Sequence, residues 1–126
     1  MKILLWTLQV LLALAFLAHG LMLLFPPVAI ADQLNASLPR WFQLFLGVAE
    51  VLAAIGLTLP ALTGIQPWLV PCAAAGIMVV MVSATIFHLS RGEVSSAATT
   101  VVLLAMASFV AYMRWRELAI RPRTSV

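Results

Sequence analysis

Two ionisable side chains lie inside long apolar stretches of the sequence, and their chemistry is the first clue to function. Glu50 lies in the middle of WFQLFLGVAEVLAAIGLTL, and His19 lies near the end of the apolar stretch at the amino terminus. A carboxyl group and an imidazole inside a protein can bind a polar ligand or relay a proton. The alternative is structural: Glu50 is a buried carboxylic acid that joins two helices, and His19 bonds a neighbouring helix.

The composition makes lipid the solvent for these residues. Of the 126 residues, 64% are hydrophobic and only 9% are charged, whereas a soluble domain has about 25% charged residues. This composition excludes an ordinary soluble domain, and the length leaves no room for a separate one. The net charge of +3 would suit nucleic acid, but we expect no nucleic-acid partner, because the basic residues fall at the ends of the apolar stretches.

Four apolar stretches are long enough to cross a membrane as helices. They occupy about residues 3–25, 41–59, 67–89 and 94–115. Pro60 is expected to end the second, because a proline inside a helix removes a hydrogen bond. The first stretch is longer than the apolar core of a signal peptide, so we expect it to be retained.

The connections between these spans predict their arrangement. Those after the second and third spans are short, so the helices they join are expected to be antiparallel neighbours. The longer connection PPVAIADQLNASLPR is expected to be a loop. We therefore predict an all-α fold, an integral membrane up-down-up-down four-helix bundle that forms a single transmembrane domain over residues 1–126.

Basic residues are unequally divided between the two sides of this bundle. An even number of spans places both termini on one side, which carries Lys2, Arg114, Arg116, Arg121 and Arg123. The opposite side carries only Arg40 and Arg91. The positive-inside rule then predicts that both termini are cytoplasmic. We expect the chain in the inner (plasma) membrane of a bacterium.

Glu50 must face protein rather than lipid. A charged group at the bilayer centre costs about 2.5–3.5 kcal/mol on insertion scales, so the carboxyl group takes up a proton or finds a donor. Gln43, Gly47 and Ala54 lie at i−7, i−3 and i+4 and share its helix face. Small residues predict close helix contacts, within one bundle or between protomers, at Gly47, Ala49, Ala53, Gly56, 73–76, Ala97, Ala98 and Ala105.

Most other polar side chains fall in the half of the bundle that lies away from the termini. This distribution predicts a polar recess that opens outward, with Glu50 at its floor and His19 on its wall. Their axial offset of roughly 6 Å leaves a direct contact and a water-bridged contact both open. The candidate ligand- or partner-binding residues are Glu50, His19, Gln43, Gly47, Arg40, Thr85, His88 and Thr99.

Several of these candidates have structural alternatives. Thr85 and Thr99 can bond back to their own helices, and His88 can interact with a helix carboxyl terminus. Arg40 either anchors the rim or attracts an anionic head group. We assign no catalytic residue and no metal site, because the sequence has one cysteine and no phosphate loop, nucleophile elbow or HExxH motif.

The stretch WFQLFLGVAEVLAAIGLTLPALTGIQPWLVPCAAAGIMVVMVSATIFHLSRGE resembles the DoxX-like family of small membrane proteins. The resemblance rests on a G-x-x-E segment, a Leu-Pro ending, a TGI-P-L turn, an Ala-rich helix and an HL-RGE ending. The amino-terminal LALAFLAHGLMLLFP is similar to the family's first helix. The resemblance implies a four-helix membrane protein, with Gly47 and Glu50 as the G-x-x-E pair and His88, Arg91, Gly92 and Glu93 at the end of the third helix.

The resemblance also bears on function. The family takes its name from a subunit of a thiosulfate:quinone oxidoreductase, some bacterial members are linked to oxidative-stress complexes, and a distant relative is an assembly chaperone for nicotinic acetylcholine receptors. We expect a non-enzymatic, chaperone-like accessory or assembly subunit. The alternatives are a quinone- or lipid-binding subunit of a membrane oxidoreductase and a small proton-coupled transporter. Expected partners are membrane lipid, a partner membrane protein and further copies of the chain, and no cofactor is expected beyond a bound quinone or lipid.

Overall fold

The fold is all-α in the computed structural model, which describes residues 1–117 and 119–122. The helices are α1 (Lys2–Leu24), α2 (Val28–Ser37), α3 (Arg40–Thr63), α4 (Leu69–Ser90) and α5 (Val94–Tyr112). A π-helical turn, Met113–Glu117, continues α5. Helices α1, α3, α4 and the extended α5 are each long and apolar enough to cross a membrane.

These four helices form an up-down-up-down bundle, as the sequence predicted. Helix α1 packs along α3, α3 along α4, and α4 along α5, while α1 and α5 share a smaller contact that completes the ring. Met1 and the π-helical turn Met113–Glu117 lie at one end of the bundle, which we call the termini end. The short helix α2 lies at the other, which we call the α2 end.

Helix α2 corrects the expectation of a loop between the first two spans. Pro27 precedes its first turn in an extended conformation, and Ile30, Leu34 and Leu38 follow at a spacing of four residues. That spacing gives a short helix an apolar face. A search for membrane-length apolar stretches overlooks it, because only ten residues are helical.

The second span also differs from its prediction, because α3 passes through Pro60 and ends four residues later than the expected residue 59. Its end is set by Gly64, whose left-handed φ of 70° suits a glycine helix cap. Membrane helices tolerate an internal proline where a neighbouring helix bonds the nearby carbonyls. Here the Gln9 side-chain amide donates to the Leu57 carbonyl, one turn before the proline.

A buried polar link closes the termini end of the bundle. The Arg114 guanidinium Nε donates to Gln9 Oε1 at 2.8 Å, and the same guanidinium lies 4.9 Å from the centre of the Trp6 ring. Gln9 is fully buried and Arg114 is 7% exposed. Arg114 therefore joins α1 to the end of α5, in addition to its predicted place among the basic residues at this end. Arg123, which belonged to the same prediction, lies outside the described residues.

The small residues divide into internal and outward-facing sets. A β-carbon on Gly56 would lie 3.0 Å from that of Ala73, so α3 and α4 cross closely there. Ala97 is buried in the bundle. Gly76, by contrast, has open space where a β-carbon would stand, and Ala98 and Ala105 are exposed. The bundle therefore uses some small residues for its own packing and leaves others on its outer surface.

Candidate functional site

A large cavity opens among the helices at the α2 end, where no counterpart of the Gln9–Arg114 link draws α1 and α5 together among the described residues. Its volume is about 930 Å³, and we call it the main cavity. Its walls are mostly apolar and include the rings of Phe16, Phe42, Phe45 and Phe87. Cavities of this size and character hold small ligands in other proteins.

The deep part of the main cavity carries His19 and Glu50 in direct contact. His19 Nδ1 and Glu50 Oε2 share a hydrogen bond of 2.6 Å. The Glu50 side chain is only 2% exposed, whereas that of His19 is 51% exposed. Glu50 is therefore almost entirely shielded from solvent, and the imidazole is the part of the pair that faces open space. Nε2, on the far side of the ring, bonds no described residue.

Close packing at two glycines places the His19 and Glu50 side chains at the same depth along the bundle axis. A β-carbon on Gly20 would lie 2.9 Å from the Gly47 carbonyl oxygen and 3.2 Å from the Glu50 β-carbon. Helix α1 ends four residues after Gly20, whereas α3 begins seven residues before Gly47. Helix α3 therefore begins beyond the end of α1. Counting depth from each helix's own end overstated the offset between His19 and Glu50.

Arg40 and Gln43 support the site without lining it. The Arg40 guanidinium donates to the last carbonyls of α1, with Nη1 2.8 Å from Leu23 O and Nη2 2.8 Å from Leu24 O. It thereby satisfies acceptors that a helix end leaves open. Gln43 Nε2 donates to Asn35 Oδ1 at 3.0 Å and to Leu38 O at 2.9 Å. These contacts fasten the carboxyl-terminal end of α2 to α3.

Of the candidates on the other two helices, His88 and Thr99 line the cavity and Thr85 does not. Thr85 Oγ1 shares a 2.7 Å hydrogen bond with Thr100 Oγ1, which ties α4 to α5. Thr99 bonds back to Ser95 O at 3.1 Å. His88 Nδ1 lies 3.5 Å from Glu93 Oε1, which also accepts from Arg91 Nε at 2.9 Å. Glu50, His19, His88 and Thr99 are thus brought to one cavity, while Gly47 lies in the α1–α3 contact.

Helix α2 forms the roof of the main cavity. Its apolar face supplies Ile30 and Leu34, and Leu38 follows directly after its last residue. The polar side chains of Gln33 and Ser37 reach the lining as well. Arg91 Nη2 lies 3.5 Å from Ser37 Oγ and connects this roof to the end of α4. None of these α2 residues was among the sequence candidates, although the four-residue spacing of the apolar ones is a readable signal.

The main cavity also reaches the outer surface of the bundle from the side. Phe45 on α3 and Val79 on α4 line it, and they are 65% and 67% exposed. An opening between these two helices would face lipid, because both helices are long enough to span the membrane. A lipid-soluble molecule could enter there without crossing water.

A second depression follows α3 and α4 towards the termini end. It has a volume of about 530 Å³ and is lined largely by small or apolar residues, including Ala49, Ala53, Gly56, Cys72 and Gly76. Glu50 borders both spaces. Among the described residues, no three His, Cys, Asp or Glu side chains come together as a metal site.

Comparison with protein families matches residues 7–110 to the model of the DoxX-like family. The match contains all four sequence candidates that line the main cavity, and it confirms the resemblance seen in the sequence. No curated protein and no solved structure matches the chain significantly.

Proposed function

The chain belongs to the DoxX-like family, and we propose that it is a non-enzymatic accessory or assembly subunit that holds a membrane amphiphile in its main cavity. The observation that carries this proposal is the apolar cavity of about 930 Å³ with the His19–Glu50 pair in its deep part. Apolar walls with a few placed polar groups are typical of ligand sites. Ionisable residues inside membrane spans are also functional more often than structural.

The exposed lining residues on α3 and α4 support a ligand drawn from the bilayer. The exposed Phe45 and Val79 would meet acyl chains, and the half-exposed His19 would meet the polar end of the ligand. A structural role alone would require Glu50 to have a partner, but not a cavity in front of that partner.

The α2 end is proposed to face the outside of a bacterial inner membrane, with both termini in the cytoplasm. Lys2, Arg116 and Arg121 lie at the termini end, which supports this orientation by the positive-inside rule. A membrane-impermeant maleimide would label Asp32→Cys and not Lys2→Cys in intact cells that carry a Cys72→Ala background. The reverse labelling would refute the orientation.

A partner membrane protein is the second element of the proposal. Gly76, Ala98 and Ala105 are small, exposed and on membrane-spanning helices, and such residues allow close helix approach in lipid. The same surfaces would serve a second copy of the chain.

A quinone-binding role within an oxidoreductase complex is the alternative that one observation favours. The imidazole and carboxyl group of His19 and Glu50, 2.6 Å apart, can bond a ligand oxygen and pass a proton. In that case, the bound amphiphile would be a quinone with its characteristic ultraviolet absorbance.

The test is to purify the full chain in a mild detergent and identify co-purifying small molecules by mass spectrometry. A stoichiometric amphiphile is expected with the wild type and with Asp32→Asn, whose exposed side chain lies outside the cavity lining. It should be lost from Glu50→Leu. A quinone lost in this way favours the oxidoreductase role, and a co-purifying protein without quinone favours the accessory role. Equal amphiphile content in all three proteins would overturn the binding site.

A further inference from the structure

We infer that the main cavity selects an uncharged amphiphile with an acceptor oxygen, such as a ketone or ester carbonyl, and that His19 Nε2–H donates a hydrogen bond to it. This inference rests on the proposed function and names the class of ligand. It depends on how many protons the His19–Glu50 pair holds, and on which charges face the cavity.

The first step is the proton count of the pair. Its net charge is zero when two protons are shared among Glu50, His19 Nδ1 and His19 Nε2. The 2.6 Å contact between Nδ1 and Oε2 takes one of these protons, whichever atom carries it. The other proton resides on Nε2 in two neutral arrangements: an Oε2–H carboxylic acid that donates to Nδ1, and a carboxylate that accepts from an imidazolium. A third arrangement, with the acidic proton on Oε1 and a neutral Nδ1–H donating to Oε2, would leave Nε2 as an acceptor. The separation of 2.6 Å favours the first two, because O–H donors and charge-assisted pairs bond at shorter distances than a neutral N–H.

The second step is that the bilayer interior favours the neutral pair. Glu50 is the eleventh residue of the 24-residue helix α3, hence about 15 Å from the helix start at 1.5 Å per residue. A net charge at that depth is costly. The carboxyl group is also almost fully buried, so water cannot offset the cost. Removing one proton would leave a net negative pair.

The third step is the direction in which Nε2 points. Nδ1 is occupied by Glu50, the His19 side chain is 51% exposed, and its ring belongs to the cavity lining. The free N–H on the opposite side of the ring therefore points into the cavity. A ligand group placed there must accept a hydrogen bond, which a carbonyl oxygen does and an ammonium group does not.

The fourth step concerns the charge of the ligand. The ionisable residues described in the lining are His19, Glu50, His88 and Glu93. The first two form the neutral pair, and Glu93 is bonded to Arg91, so the described lining offers an anion no uncompensated arginine or lysine. The nearest guanidiniums are engaged elsewhere, Arg91 with Glu93 and Arg40 with the carbonyls of α1. A phosphate or carboxylate head group would also lose its hydration on reaching His19, which costs a large free energy. The desolvation of a ketone or ester costs much less.

The experiment uses the full chain in phosphatidylcholine nanodiscs and three probes of equal length: a ¹³C-carbonyl methyl ketone, the corresponding fatty carboxylate and the alkane. Difference infrared spectra report the carbonyl stretch of bound ketone, and titration reports affinity. The ketone is expected to bind wild type more tightly than either other probe, with its stretch moved to lower frequency. Removing the donor in His19→Phe should weaken ketone binding about tenfold, the effect of one lost hydrogen bond, and abolish the shift.

Two further variants keep the test decisive. His19→Gln retains a side-chain N–H donor and should recover part of the shift, while Thr7→Val, on the same helix but outside the cavity lining, should leave it unchanged. Ketone that binds with an unshifted stretch, or carboxylate that binds as tightly as ketone, would overturn the inference and leave the proposed function standing. Failure of all three probes to bind would overturn both.

Discussion

The Gly47 carbonyl oxygen occupies space that a side chain at position 20 would need, because a β-carbon on Gly20 would stand only 2.9 Å from it. This contact brings α1 and α3 together directly beside His19 and about one turn from Glu50. The pair is therefore held by backbone packing as well as by its own hydrogen bond.

Gly20→Ala should force α1 and α3 apart and destabilise the bundle by about 1–3 kcal/mol, the usual cost of overpacking a tight contact. The atom in the way belongs to the backbone and cannot rotate aside. Thermal unfolding in detergent or lipid measures the effect. Gly76→Ala is the matched control, since its β-carbon meets open space, and alanine favours a helix by about 0.5–1 kcal/mol over glycine. Equal stability of Gly20→Ala and wild type would contradict the close contact.

Glu50→Leu should be at least as stable as wild type even though it breaks the link to His19. The substitution removes a polar group from the membrane interior, which insertion scales value at about 2.5–3.5 kcal/mol. The His19 ring, which loses its partner, is half exposed. The substitution therefore leaves no fully buried polar group without a hydrogen bond at this position. Thermal unfolding of Glu50→Leu beside Glu50→Gln measures this. A large loss of stability in Glu50→Leu would mean that the carboxyl group is chiefly structural.

Gln9→Leu should destabilise the termini end by about 1–3 kcal/mol, because buried acceptors and donors lose their partners. The substitution removes the donor to the Leu57 carbonyl and the acceptor of Arg114 Nε. Thr7→Val, two residues away, is the control: its hydroxyl is exposed and bonds only its own helix, at Ile3 O. Chemical denaturation in mixed micelles compares the two. Equal loss in both variants would show that the Gln9 contacts contribute nothing specific.

Gln43→Ala should release α2 from the roof of the main cavity. A helix of ten residues is marginal on its own, and the Gln43 amide supplies two hydrogen bonds to its carboxyl-terminal end. Amide hydrogen exchange of residues 28–38 should accelerate about tenfold or more. Gln33→Ala changes a cavity-lining glutamine whose amide makes no bond to a described residue, and it should leave exchange unchanged. Unaltered exchange in Gln43→Ala would assign the stability of α2 to its apolar face instead.

Much of the fold could be predicted because apolar length alone identifies membrane helices. The four spans, their antiparallel order and the interior position of Glu50 all follow from the absence of water in a bilayer. The predicted end of the second span at Pro60 was wrong. Proline usually ends helices in water, whereas α3 continues through Pro60, and the Gln9 side chain bonds a nearby carbonyl. Helix α2 was not predicted, because its ten residues are amphipathic rather than continuously apolar.

The site was predictable only in part, because sequence spacing fixes a face within one helix and not the register between two. Glu50 and His19 were identified from their apolar surroundings, but their direct contact depends on α3 starting beyond the end of α1. Gln43 was a candidate because it shares the helix face of Glu50, and Arg40 because it lies at the rim, yet their side chains hold α2 and cap α1. Arg114 resembled a surface charge, although its guanidinium turns inward to Gln9.

The most direct test of ligand binding is a crystal structure of the full chain grown from a lipid mesophase. The proposed function predicts continuous density for an amphiphile in the main cavity, entering between Phe45 and Val79, with a polar atom within hydrogen-bonding distance of His19 Nε2. A cavity closed by its own side chains, or filled only by acyl chain with no polar atom beside His19, would contradict it.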